Sequence, residues 1–154
     1  MNFKFTHDEH HSAGYQWEKR DLKEWVTDVF VAPEIVVQPG CTSEIRAHIE
    51  SEFVNEGWAL NVSLDPGHGL KVFAAKDDLA FQLQTGNMSR APYDLLKLQY
   101  LFEKGRIGAA AIALPTSAAA KVMGDNLANA ERVIRELELF SRVITVPILV
   151  VAFE

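Results

Sequence analysis

The sequence predicts an α/β domain whose mixed central β-sheet is flanked by helices on both faces. Three observations favour this fold class. The segment LKVFAAKDDLAFQLQTGN, residues 70–87, has the layout of two paired strands joined by a polar turn. Two later segments, residues 107–114 and 143–154, are apolar on both faces, which is typical of central strands covered by helices. Elsewhere apolar residues recur at three- and four-residue spacing, the period of amphipathic helices.

Length, charge and cysteine content limit the classes of protein to consider. With 154 residues the chain predicts one domain, with a helical N-terminal part at 1–57 and a sheet core at 58–154. The net charge of −6 argues against a broadly electropositive nucleic-acid surface, so that only a local group of the 15 lysines and arginines could bind DNA. The single cysteine, Cys41, excludes an intramolecular disulfide and favours a reducing cytoplasm.

The first third of the chain predicts two helical regions. Residues 6–9, Thr-His-Asp-Glu, match a capping box, so a helical region is expected to begin there or near residue 15 and to end at Phe30. Prolines at positions 33 and 39 then interrupt the chain. Thr42 or Ser43 can cap a second helix, which Gly57 ends.

The rest of the chain predicts a meander followed by alternating helices and strands. Strands are expected at 58–64, 70–75 and 79–85, with Asp77 and Asp78 pointing to solvent from the turn between the last two. A third helix begins at residues 89–92, where Pro92 suits the first turn, and ends at Gly105. The strand at 107–114 and a short helical turn precede a fourth helix from Asp125 to about Leu139. The last strand ends the chain.

One part of the sequence resembles a known family. The motif FQLQTGN, followed by SRAPYDLLKLQYLFEKGRIGAAAIALPT, resembles the core of BglII-type restriction endonucleases, within the PD-(D/E)xK nuclease superfamily. The resemblance runs from about Gly57 to the C-terminus. It implies a restriction-endonuclease-like fold, type II DNA cleavage with Mg²⁺ in an active member, and duplex DNA and a second copy of the chain as partners.

The motif positions that the resemblance assigns to metal ligands hold other residues. Gln84 takes the place of the family's final glutamine, and Gln82 takes the place of its glutamate. Phe73, nine residues before Gln82, stands at the aspartate position. Because Mg²⁺ prefers hard oxygen ligands that include carboxylates, an aromatic ring and an amide predict a lost metal site and no cofactor. The sequence therefore favours an inactive relative that acts as a binding module for DNA or for a protein.

The alternative is an active Mg²⁺-dependent endonuclease whose acids have moved. Glu50 on the second helix, Asp65 in the turn after the first strand and Asp77 could rebuild a carboxylate site. The simpler interpretation is that Asp65 and Asp77 form turns and that Glu50 lies on a solvated helix face.

Two further groups are candidates for binding sites. Asn87, Ser89 and Arg90 lie where a helix begins, so they could bind a DNA phosphate or form an ordinary cap beside an exposed arginine. His7 and His11 would be one turn apart on the predicted first helix, which is a weak indication of a transition-metal site. No signal peptide is expected from residues 1–11, and the longest apolar run, 146–153, is too short to cross a membrane.

Overall fold

The computed structural model of the protein describes residues 1–154. Its six strands are β1 (Phe3–His7), β2 (Ala59–Ser63), β3 (Lys71–Lys76), β4 (Leu79–Leu83), β5 (Ala109–Pro115) and β6 (Ile148–Phe153). Its six α-helices are α1 (Ala13–Glu18), α2 (Lys23–Asp28), α3 (Thr42–Asn55), α4 (Arg90–Glu103), α5 (Ser117–Met123) and α6 (Ala130–Leu139). A 3₁₀ helix at His10–Ser12 separates β1 from α1.

All six strands form one mixed sheet in the order β1-β6-β5-β4-β3-β2. Strands β4, β5 and β6 run parallel, whereas the β1–β6, β3–β4 and β2–β3 pairs are antiparallel. Helices cover both faces, so the predicted fold class is confirmed. None of the helices is long and apolar enough to span a bilayer.

Each face of the sheet has its own apolar core. On one face, helices α1 to α3 supply Trp17, Val26 and Phe53. On the other face, helices α4 and α6 supply Leu98 and Val133. Strand β5 lies between the two cores and is buried throughout. Its alanines at 109, 110, 111 and 113 leave room for close packing of both helical layers on the sheet.

The prediction that a helical region begins at residues 6–9 is wrong. Thr6 and His7 lie on strand β1, and the next two residues connect this strand to the 3₁₀ helix. Strand β1 pairs with β6, with Thr6 opposite Val151 and His7 opposite Val150. The capping-box pattern covers only four residues, whereas the pairing of β1 with β6 depends on a segment that is distant in sequence.

Three helix boundaries also differ from the prediction. The region predicted to reach Phe30 is divided into α1 and α2, where Asp21 has a φ of +56°. Neither Thr42 nor Ser43 caps α3, since Cys41 occupies the N-cap and no side chain accepts a bond there. Helix α6 begins five residues after Asp125, and the side chain of Asn129 accepts a hydrogen bond from Arg132 N.

The β3–β4 turn is joined by an ion pair to the turn that follows α1. Asp78 accepts hydrogen bonds from Arg20 Nε at 2.9 Å and Nη2 at 2.6 Å, which lower the pKa of the Asp78 carboxyl. Residue 108 lies beside this pair, and a Cβ added to Gly108 would lie 2.7 Å from Asp78 Oδ2. Asp78 is 52% exposed, as predicted for a turn residue, but its carboxylate also forms an ion pair that the sequence did not predict. This pair holds the hairpin that carries Phe73 and Gln82.

Candidate functional site

A cleft of about 440 Å³ opens where the C-terminal end of β4 meets helices α3 and α4. Residues 82–86, at the end of β4 and just after it, form one side of the cleft. The helices contribute Thr42 and Arg46 from α3, and Arg90, Tyr93, Asp94 and Lys97 from α4. Gln82, Gln84 and Arg90, three of the residues singled out in the sequence, therefore line the same cleft.

A buried carboxylate lies at the base of this cleft. Asp94 is 3% exposed, and it is the one acidic residue among those that line the cleft. Asp94 Oδ1 accepts from Gln82 Nε2 at 3.1 Å and from Lys97 Nζ at 3.1 Å, and Oδ2 accepts from Gln84 Nε2. Burial of an ionised carboxylate is costly unless it is paired and hydrogen-bonded, and Asp94 has both kinds of partner.

Both glutamine side chains form hydrogen bonds through the amide nitrogen and through the amide oxygen. Gln82 Oε1 accepts from Phe73 N at 3.0 Å, so its amide joins strand β3 to Asp94. Gln84 Oε1 accepts from Gly86 N at 2.7 Å. A Cβ at Gly86 would lie 3.0 Å from that same oxygen, so the glycine leaves room for the Gln84 amide. Both amides therefore stabilise the loop after β4 and hold Asp94 in place.

Phe73 faces the core and not the cleft. Its side chain is 5% exposed, with its ring centroid 6.0 Å from that of Phe53 and 5.8 Å from that of Phe81. The guanidinium carbon of Arg46 lies 5.0 Å from the centroid of the Phe73 ring, within the range of a cation–π contact. Phe73 therefore supports Arg46 at the mouth of the cleft.

The lining of the cleft carries more positive than negative charge. Three cationic side chains, Arg46, Arg90 and Lys97, accompany the single acid Asp94, so the formal charge of the lining is +2. Outside the lining, Glu50 accepts from Arg46 Nε at 2.9 Å and offsets part of this charge. An anion, and not a cation, fits this environment.

Comparison with known families decides the classification. The family model of restriction endonuclease BglII/BglIII matches residues 6–153. The chain belongs to this family.

Two solved structures of BglII have the same fold. A BglII structure described as a complex with a DNA 16-mer has a TM-score of 0.72 and 14% sequence identity, and the match covers 100% of this chain and 78% of that one. The structure of free BglII gives a TM-score of 0.67 at 14% identity, covering 100% of this chain and 80% of that one. No curated protein sequence matches the chain significantly.

The residues at the BglII-type motif positions do not fit Mg²⁺. Phe73 has no donor atom, and the oxygens of Gln82 and Gln84 already accept backbone hydrogen bonds. The remaining carboxylate, Asp94, is held by Lys97 and by both amides. A magnesium ion needs several hard oxygens in near-octahedral arrangement and usually more than one acidic ligand, whereas this cleft has one carboxylate, which already accepts three hydrogen bonds.

The acids of the alternative carboxylate site do not come together. Glu50 pairs with Arg46, Asp77 lies in the β3–β4 turn with a φ of +50°, and Asp65 accepts from His68 Nδ1 and Gly67 N, both at 2.9 Å. The hydrogen bond from His68 is the main reason that the pKa of Asp65 is lowered. No three His, Cys, Asp or Glu side chains are grouped in a way that could hold a metal ion.

The loop before α4 is an Asx turn. Asn87 Oδ1 accepts from Ser89 N at 2.9 Å and from Ser89 Oγ at 2.8 Å, and Ser89 does not cap α4 with its side chain. Arg90 lines the cleft, whereas Asn87 and Ser89 do not. Of the three predicted phosphate-binding residues, the structure therefore brings only Arg90 to the motif glutamines.

The helical spacing proposed for His7 and His11 is wrong. His7 lies on strand β1, where its Nδ1 is 3.0 Å from Glu9 Oε2, and His11 Nε2 lies 2.7 Å from the carbonyl oxygen of Ser141. Between them His10 is buried, and burial is the main reason that its pKa falls to about 4.

Sequence reasoning missed Asp94, Lys97 and Arg46 as parts of the site. Asp94 follows Ala91 by three residues and precedes Leu98 by four, so it lies on the apolar face of α4. A carboxylate on a buried helical face needs hydrogen-bonding or charged partners. The position of Asp94 in the apolar pattern was therefore the sequence signal that could have identified it. Nothing in the sequence brings Arg46 close to β4, because α3 packs on the other face of the sheet.

Proposed function

We propose that the protein binds duplex DNA through its sugar-phosphate backbone at this cleft and does not cleave it. The observation that carries the proposal is the network around Asp94, in which Lys97 and the two motif glutamines all donate to the single carboxylate of the cleft. Phosphoryl transfer without a divalent ion would lack the charge neutralisation that the reaction requires.

The charges of the cleft suit a phosphate ligand. Arg46 of α3 and Arg90 of α4 line the cleft together with residues at the end of β4. Arginine forms charge-assisted, bidentate hydrogen bonds with phosphate oxygens, so two arginines in one cleft can hold a backbone phosphate. The similar BglII structure in complex with a DNA 16-mer supports DNA as the ligand of this fold.

The test is fluorescence anisotropy of a labelled duplex over a series of salt concentrations. Neutralisation of two or three phosphates predicts a slope of about −2 to −3 for log K against log salt. Arg46→Ala and Arg90→Ala should each weaken binding and reduce the slope by roughly 0.9. Arg135→Ala, which removes an exposed arginine of α6 outside the cleft, is the matched control. Equal binding by all four proteins would contradict the proposal.

Cleavage is tested on the same protein, because the active-endonuclease hypothesis makes the opposite prediction. The proposal expects no cut in the presence of Mg²⁺ or Mn²⁺. If cutting occurs and is lost in Glu50→Ala, Asp65→Ala or Asp77→Ala, the acids act from positions that the structure shows apart, and the non-cleaving proposal is wrong.

A second copy of the chain is the partner that we propose beside DNA. Phe140 and Val143 are exposed at 48% and 63%, and they line an apolar groove with Pro92 and Leu95 of α4. A duplex has two antiparallel strands, so a twofold pair of chains would present one cleft to each strand. Val143→Glu should convert a dimer to a monomer in analytical ultracentrifugation. A monomeric wild-type protein would exclude this arrangement.

A further inference from the structure

A second, apolar pocket of about 280 Å³ adjoins the cleft. Its walls are aliphatic at Leu64, Leu70 and Leu96 and aromatic at Tyr93 and Tyr100. Tyr93 and Lys97 line both the pocket and the cleft, so the two spaces meet at one turn of helix α4. The basic cleft therefore leads directly into an apolar, aromatic recess.

Besides Lys97 and the two tyrosines, the recess has two ionisable side chains in its lining. Asp65 and His68 lie there, joined by the hydrogen bond between Asp65 Oδ1 and His68 Nδ1. The hydroxyl of Tyr100 lies 3.5 Å from Asp65 Oδ2. Apolar and aromatic walls with a few polar groups are typical of pockets that bind small organic ligands.

We propose that this recess binds one unstacked nucleobase of a strand whose phosphate lies in the cleft. The proposal rests on the backbone binding proposed above, and it names a more specific ligand: nucleic acid with an unpaired base. A base in a paired duplex remains stacked and cannot enter the recess, whereas a bulged or single-stranded base can enter it and stack on Tyr100. The positive charge that the backbone needs and the aromatic surface that the base needs lie on either side of Tyr93 and Lys97.

The experiment compares three labelled probes of equal length by anisotropy: a paired duplex, a duplex with one bulged thymidine, and the same bulge with an abasic nucleotide. The abasic bulge has the same bent backbone and the same phosphates but no base, so the ratio of the two bulged affinities reports the base alone. Stacking of one base predicts that the thymidine bulge binds roughly tenfold more tightly than the abasic bulge.

Two variants test whether the difference between the thymidine and abasic bulges arises in the recess. Tyr100→Leu removes an aromatic wall, and Leu96→Gln changes a side chain that is 55% exposed, so this second variant does not depend on the core. Both should bring the ratio close to one. Tyr15→Leu is the matched control, because Tyr15 also has a lysine four residues on, with Lys19 Nζ 5.8 Å from its ring centroid, compared with 5.5 Å for Lys104 over Tyr100. This control should keep the wild-type ratio.

The outcomes separate this inference from the proposed function. Equal binding of the thymidine and abasic bulges, with weaker binding of all probes in Arg46→Ala, would overturn the base pocket and leave backbone binding intact. Retention of the tenfold ratio in Tyr100→Leu and Leu96→Gln would also overturn it. If no probe binds, or if Arg46→Ala binds all probes as the wild type does, both proposals fail.

Discussion

At the scale of single residues, the centre of the cleft is organised by one buried charge. Asp94 is 3% exposed, and Lys97, whose side chain is 15% exposed, is its cationic partner. The two glutamine amides also donate to this carboxylate. In this family member the end of β4 and helix α4 are thus joined by an ion pair and two amides, which makes this region a structural centre.

Lys97→Met should therefore be strongly destabilising. The change leaves Asp94 buried without its counter-ion, and loss of one partner of a largely buried pair costs about 2–4 kcal/mol of the free energy of unfolding. Arg132→Met is the control, because it removes one partner of a more exposed helical ion pair with Glu136, where a loss below about 1 kcal/mol is expected. Urea denaturation measures both values, and equal losses would show that Asp94 does not depend on Lys97.

At the scale of elements, apolar periodicity predicted the positions of most helices and strands. It could not predict pairings between segments that are distant in sequence. Helices α3 and α4, the β3–β4 hairpin and strand β5 lie within a few residues of their predicted positions, because each has a long or repeated apolar pattern. Strand β1 was missed since its partner is β6, at the other end of the sequence. Asp94 was missed as a site residue because its role depends on side chains of β4 that come near only when α4 packs on the sheet.

The contact between the turn after α1 and the β3–β4 hairpin should be sensitive to a single methyl group. In Gly108→Ala the added Cβ would lie 2.7 Å from Asp78 Oδ2 and 2.9 Å from Arg20 Nη2, so the ends of these two side chains must shift. Because both side chains are flexible and Asp78 is 52% exposed, we expect a loss of up to about 1 kcal/mol in the free energy of unfolding. Gly124→Ala is the control, since its Cβ would meet only Leu127, at 3.8 Å. Thermal and urea unfolding compare the two, and an equally stable Gly108→Ala protein would show that the pair is unimportant.

The 3₁₀ helix after β1 should make stability depend on pH through His10. Its pKa is about 4 in the folded protein, compared with an ordinary value of 6.5, because burial and the neighbouring His11 disfavour the charged form. Between these values the unfolded chain binds a proton that the folded chain does not, so the free energy of unfolding falls as the pH falls from about 6.5 towards 4. The His10 contribution should decrease by about 2 kcal/mol between neutral pH and pH 5.

Comparison with His10→Gln isolates this effect, because the variant keeps all other titrating groups. The wild-type protein should lose more stability than the variant between pH 7 and pH 5 in urea denaturation. Parallel pH profiles would contradict a buried, neutral His10.

At the scale of the whole molecule, charge distribution limits how the protein can bind nucleic acid. The chain carries a net charge of −6, whereas the lining of the cleft carries +2. Long-range attraction to DNA is therefore weak, and the proposed binding would depend on close contacts in one cleft, within about 10 Å of the phosphates at moderate salt. The affinity for DNA should be modest and should be lost at high salt. The apolar recess beside the cleft would add the part of the affinity that depends on an unpaired base.

The central claim is that the cleft binds a DNA backbone but holds no catalytic metal ion. Its most direct test is incubation of the protein with supercoiled plasmid, under conditions where a mobility shift shows the DNA to be bound, with Mg²⁺, with Mn²⁺ and with EDTA. We predict intact supercoiled DNA in all three and the same affinity with and without EDTA. Metal-dependent nicking by the wild-type protein that disappears in Glu50→Ala, Asp65→Ala or Asp77→Ala would contradict the claim.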